Sequence, residues 1–247
     1  MIISFISSYF INLILSSWLI ATPLYTNLQH DFPPVFEQER LKSCSSNAVV
    51  STLMYKMKHE NKIPFPVMKS RLDLYWNSRF RSFTPFFDSG SHIKDALETL
   101  KRRGICDEAT RPYVIQNALF PSNVACAREA HKTKITNYGT MKLDIDEIKR
   151  SLLKKNPIII DFQMYESLFS KKSIITGHVQ VPTKKEKYLG NHAIVITGFN
   201  DITKTVIARN SWGYRYDTGN MYFPYEYFTP KLKLINHLYV INAVTLK

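Results

Sequence analysis

Two textures divide the chain. Between residues 43 and 155, apolar positions recur at helical spacing; after residue 155 they gather into short continuous runs. From Ser43 to His59 the pattern predicts a helix, with Ser43 as its N-cap and Ala48, Ser51, Thr52 and Tyr55 on one side. Residues 67–80 read as a second helix. Ser91 to Arg103 reads as a third: Ser91 is its expected cap, Ile93, Ala96, Leu97 and Leu100 form its stripe, and Gly104 ends it. Helices are also expected at 124–133 and 144–155. Residues 31–43, with Pro33-Pro34, read as irregular. Strands are expected at Pro157–Phe162, His192–Thr197, Thr205–Ala208, Asn220–Pro224 and Leu238–Leu246. Helices first and strands later indicate an α+β chain rather than alternating βαβ units.

The first 24 residues carry no charged side chain, and Ile2 to Ile20 is mostly apolar. That length is just enough for a spanning helix, at roughly 20 residues. A basic leader and a small-x-small cleavage site are both absent. A membrane anchor, an uncleaved signal and a buried N-terminal segment all remain open. The segment raises the expectation of membrane association or secretory entry through residues 1–24. A cytoplasmic or virion location is the alternative.

Composition narrows the class. The 247 residues are 45% hydrophobic and 21% charged, which excludes disordered and low-complexity chains. The net charge of +13 could attract phosphate. Its lysines and arginines are scattered, however, and no recognition-helix, RNP or zinc-finger pattern accompanies them, so no nucleic-acid partner is expected. Three widely spaced cysteines, Cys44, Cys106 and Cys126, argue against a disulfide framework and a cysteine-rich zinc site. They suggest a reducing compartment, with Cys106 and Cys126 as buried structural thiols. No phosphate-binding loop, dinucleotide fingerprint, HExxH or GxSxG occurs. No cofactor or metal is therefore expected.

What remains is a thiol, an imidazole and an amide. Cys44 lies where the first helix begins, and a helix N-terminus stabilises a thiolate. His192 opens a strand whose alternation aligns it with Ile194 and Ile196, a natural place for a general base. Asn210 follows the next strand, and its side-chain oxygen could accept the second imidazole N–H. Each residue taken singly has an ordinary structural reading.

Together they resemble the papain-like cysteine peptidases. Residues 34–48, Pro-Val-Phe-Glu-Gln-Glu-Arg-Leu-Lys-Ser-Cys-Ser-Ser-Asn-Ala, are similar to that family's nucleophile segment, most closely to the short branch of bacteria and large DNA viruses. Gln38 stands six residues before Cys44, at the family's spacing between oxyanion-hole glutamine and nucleophile. The segment Gly190-Asn-His-Ala-Ile-Val-Ile-Thr-Gly-Phe199 resembles GGHAV…GY. Ala208-Arg-Asn-Ser-Trp-Gly213, with Gly219 and Pro224-Tyr-Glu-Tyr227, resembles NSWG…GY…PYEY. Asp88-Ser-Gly90 and the stretch from Gly104 to Glu108 match weaker landmarks. Glu39 and Lys42 replace two loop glycines, Asn191 replaces the glycine before His192, and Ser45 stands where many members carry Trp. The long pro-region and the disulfide cysteines of the lysosomal members are missing.

The resemblance implies a papain-like fold over 25–247. A mainly helical half would cover 25–130, and an antiparallel sheet or barrel would cover 131–247, with the site in the cleft between them. It implies hydrolysis of protein or peptide substrate, with Cys44 as nucleophile, His192 as acid and base, and Asn210 orienting His192. Gln38 would complete the oxyanion hole. Gly90, Ala193 and Trp212 would lie against substrate or shield the site. An amidase or acyl transferase would use the same residues, and a catalytically weak member would remain a basic binding scaffold.

Overall fold

The computed structural model describes residues 23–60 and 67–246. The apolar segment read at 1–24 lies almost wholly outside them. Among the described residues no helix is long and apolar enough to cross a membrane.

The chain enters as strand β1 (Tyr25–Asn27) and continues through α1 (Cys44–Glu60), α2 (Arg71–Arg81), α3 (Ile93–Arg102) and α4 (Val124–Glu129). Then come β2 (Thr133–Thr140), α5 (Ile145–Leu153), β3 (Ile158–Tyr165), α6 (Lys171–Thr176), β4 (Tyr188–Asn200), β5 (Thr205–Arg209), β6 (Asn220–Pro224) and β7 (Ile235–Leu246). All strand pairings are antiparallel, in the order β2-β7-β3-β4-β5-β6, with β1 pairing along β4. The sheet is open, with β2 and β6 at the ends of that order, so the barrel alternative is corrected to an open sheet.

Several expected boundaries move for local reasons. The second helix starts later than residue 67 because Ser70 caps it, accepting the Asp73 N–H at 3.0 Å. Ser91 does not cap the third helix: His92 holds that position, and Ser91 Oγ instead meets Ser45 Oγ at 2.6 Å. The stretch read as helix over 124–133 is α4 followed by a 3-10 turn, and the chain is already extended at Thr133. β1 was not expected at all. It packs so closely that a Cβ on Gly198 would stand 2.3 Å from the Thr26 carbonyl oxygen, which only glycine permits.

α1 is the axis of the molecule. It is buried from Ser45 to Met57 with little amphipathic contrast, because it packs against helices on one side and the sheet on the other. Two of its buried hydroxyls are satisfied within the helix, Ser51 and Thr52 both donating to the Ala48 carbonyl. Register divides the sheet into two faces. Ile160, Phe162, His192, Ile194 and Ile196 share one, on which Phe162 meets Phe223 and Tyr227 edge to face. Ile159, Asp161, Ala193 and Val195 share the other.

Cys106 and Cys126 form a disulfide, with both residues fully buried. This corrects the expectation of two structural thiols and removes the basis for a reducing compartment. An odd count and wide spacing still allow one pair and one free thiol, and α4 folds back onto the chain that follows α3. The bridge closes a 20-residue separation and constrains the unfolded chain by about 3 kcal/mol on the loop-entropy argument. Denaturant titration with and without reductant should show a loss of about that size. Thiol counting on the unfolded, unreduced protein should find one free thiol. Unchanged midpoints or three free thiols would contradict the bridge.

Candidate active site

The irregular segment before α1 is held by backbone pairing to the turn after β5. Gln38 N–H donates to the Ser211 carbonyl at 2.8 Å and Gly213 N–H to the Phe36 carbonyl at 3.0 Å, with Glu37 bridging Trp212 between them. Buried Arg71 grips the same segment from the helical side. Its guanidinium lies between the rings of Phe36 and Tyr113, pairs with Glu108 at 2.9 Å and donates to Asn47 Oδ1 at 3.3 Å. Tyr113 Oη then donates to the Gln38 carbonyl at 3.0 Å and meets Ser43 Oγ at 2.7 Å. Ser43, read as a cap, thus spends its hydroxyl on Tyr113 and Asn47.

Glu39, which stands where the resemblance expects glycine, adopts φ of +54°. The strain of a left-handed non-glycine residue, of order 1 kcal/mol, is met by its N–H donating to Glu37 Oε1 at 2.9 Å. Lys42 takes no left-handed conformation, and its N–H donates to Asp88 at 3.1 Å. Asp88 also accepts from Tyr75 Oη, so the stretch from Asp88 to Gly90 is fastened beside the nucleophile segment. Gly90 has φ of +80°, and its missing Cβ would touch only Lys42 atoms, so backbone conformation rather than space selects glycine there.

Cys44, the first residue of α1, is the free thiol among the described residues and keeps partial access to solvent. Burial pushes its pKa up, against the favourable influence of the Ala193 and Ser45 backbone. His192 is buried, and burial draws its imidazole down to about 4 despite the opposing Asn210 hydrogen bond. His192 Nε2 lies 2.8 Å from Asn210 Oδ1. That oxygen also accepts the Ser211 N–H at 2.8 Å, so it cannot be the amide nitrogen. The tautomer follows: Nε2 carries the proton, and Nδ1 keeps its lone pair. Trp212 stacks on the imidazole with ring centroids 4.4 Å apart, and Phe162 closes its other side edge-on.

The Gln38 side chain is equally fixed. Oε1 accepts from Ser211 Oγ at 2.7 Å, and Nε2 donates to the Leu41 carbonyl at 2.8 Å. One amide hydrogen remains uncommitted. Gln38, Cys44, Gly90, His192, Ala193 and Trp212 all line one cleft of about 630 Å³, and Asn210 stands behind His192. The fold thus gathers the seven residues singled out from the sequence.

Four further residues shape the site without having been singled out. Ser211 lies inside the quoted motif, so its signal was present. Asp161 interrupts an isoleucine run, a visible anomaly. Arg71 and Tyr113 gave no local signal, because their role depends on packing between distant segments.

Comparison with known proteins assigns the family. The model of the papain family cysteine proteases matches residues 29–231. An uncharacterized peptidase C1-like protein of Acanthamoeba polyphaga mimivirus is 32% identical over 220 residues, covering 85% of this chain and 70% of the relative. Xylellain, a cysteine protease from Xylella fastidiosa, superposes with a TM-score of 0.82 at 29% identity, covering 92% of this chain and 88% of that one. Digestive procathepsin L 3 of Tenebrio molitor shares the fold, with a TM-score of 0.70 at 14% identity over 92% of this chain and 72% of that one. The chain belongs to the papain family of cysteine proteases, and its class is that of a cysteine-type peptidase.

Proposed function

We propose that the protein hydrolyses peptide bonds through a thioacyl intermediate on Cys44, with His192, Asn210 and Gln38 as its working partners. The observation that carries this reading is the fixed tautomer of His192: Asn210 Oδ1 accepts the Nε2–H hydrogen bond and leaves the Nδ1 lone pair free to take a proton in the cleft that Cys44 also lines.

In the first half-reaction, Nδ1 accepts the thiol proton as the sulfur attacks the substrate carbonyl. The carbonyl oxygen becomes an oxyanion, which the Cys44 N–H and the uncommitted Gln38 amide hydrogen stabilise. One such donor is worth about 10²–10³ in rate. His192 returns the proton to the leaving amine, and the C–N bond breaks. In the second half-reaction, His192 deprotonates water, which attacks the thioester, and the proton goes back to the sulfur as the acid departs. Asn210 keeps the ring in register and carries no charge. Trp212 keeps water from the His192–Asn210 hydrogen bond.

The desolvation that surrounds the pair sets its pH dependence. Attack requires that the Cys44–His192 pair has given up one proton. A histidine drawn down to about 4 stays neutral as pH falls through the ordinary histidine range. The acid limb of kcat/KM therefore belongs near pH 4, not near the 6.5 of an unperturbed imidazole. The raised Cys44 thiol keeps the alkaline limb above the usual thiol range. A rate profile on a fluorogenic peptide measures both limbs; an acid limb at about 6.5 would contradict the buried pair. Cys44→Ala should abolish turnover.

Trp212→Ala should move the acid limb upward, because water reaching the imidazole relieves its desolvation. The same rise should appear in an NMR titration of His192 in a Cys44→Ala background. An unmoved His192 titration would show that Trp212 does not shield the ring.

A further inference from the structure

Among the described residues, Asp161 is the one charged side chain that the sheet itself presents to the cleft. Register fixes its position. Asp161 pairs with Ala193 across β3 and β4 and with His237 across β3 and β7, so the three residues form one row on the sheet face that also bears Ile159 and Val195. Ala193 and Cys44 line the same cleft, and the Asp161 backbone lies one strand spacing, about 4.8 Å, from that of Ala193.

Its surroundings do not match its charge. The Asp161 side chain is 23% exposed. Among the described residues no lysine or arginine lies within ion-pair distance of it. Its nearest basic neighbour is His237, whose Nδ1 stands 3.8 Å from Oδ2, too far for a hydrogen bond. His92 faces it from the helical wall. Burial raises the carboxyl, against the favourable influence of Asn236, His237 and His92. Arg40 and Lys42 line the same cleft but belong to the nucleophile segment, where Lys42 is fastened beside Gly90. Asp161 also lines a second recess of about 200 Å³ with His92, Lys94, Asp95, His237 and Tyr239, where Lys94 makes no ion pair with it. A partly desolvated carboxylate with no lysine or arginine paired to it, open to two recesses, is completed by a cation brought from outside.

We propose that Asp161 is a specificity-determining residue that receives a cationic group of the substrate, in the pocket bounded by His92, Ala193 and His237. The cation is an ammonium or guanidinium: a lysine or arginine side chain on the acyl side of the scissile bond, or a free peptide amino terminus. No covalent step is involved. The inference rests on the peptidase reading above, since it places the pocket relative to Cys44.

Acetylated fluorogenic peptides carrying arginine, or its uncharged isostere citrulline, at each of three positions before the scissile bond test this on the unaltered protein. At one position kcat/KM should favour arginine by about tenfold or more. A parallel set with free amino termini shows whether the terminal ammonium is the cation received. Asp161→Asn, an isosteric change, should collapse the preference, and Asp161→Glu should retain part of it. Equal turnover of arginine and citrulline peptides, acetylated or free, would overturn the proposal. So would a preference unchanged in Asp161→Asn. Calorimetric binding of the same peptides to Cys44→Ala protein separates the two readings. Arginine-selective binding without turnover by the unaltered protein would sustain the pocket and remove the peptidase mechanism. Turnover without selectivity would do the reverse.

Discussion

The arrangement depends on the seam where backbone of residues 36–38 pairs with backbone of residues 211–213. One strip of main chain precedes Cys44; the other follows Asn210. Their hydrogen bonds bring a segment tied to the first helix against a turn tied to the sheet. Cys44 and Gln38 come from one side, Asn210 and Trp212 from the other, and His192 is trapped between. Arg71 secures the seam from behind through two aromatic rings and Glu108. Ser211 works in both directions: its N–H fixes the Asn210 oxygen, and its hydroxyl fixes the Gln38 amide. The side-chain amides of Asn210 and Gln38 are thus oriented by one residue.

Burial does the rest of the tuning. Cys44 and His192 both lose hydration, so neither favours its charged form alone. Under the proposed mechanism the proton moves from Cys44 to His192 as the sulfur attacks. The same low-dielectric setting makes a cleft carboxylate without a cation costly to maintain. Such a group has a use where a substrate supplies the missing charge.

Much of this was legible in the chain. Helical periodicity located α1, α3 and α5 within a few residues, and the apolar runs located the central strands, because both signals report burial of one face or of both. Cys44, His192 and Asn210 were legible as candidates because each lies in a short recognisable segment. The disulfide was not, since Cys106 and Cys126 meet only after α4 folds back. β1 was hidden because three residues are too few for a pattern, and β2 because its polar, half-exposed sequence extends what reads as a helix. Glu39 kept a glycine's conformation without being glycine, which only backbone angles reveal. Arg71 was illegible because a buried cation is defined by partners far away in sequence.

The central claim is that the Cys44 sulfur becomes covalently joined to the acyl part of the substrate. Rapid acid quench during turnover of an activated ester or peptide, followed by intact-mass measurement and peptide mapping, tests it directly. The account predicts a transient adduct of the acyl group's mass, confined to the peptide containing Cys44 and absent from Cys44→Ala protein. Turnover with no adduct under conditions where acylation outruns hydrolysis, or an adduct on another residue, would contradict it.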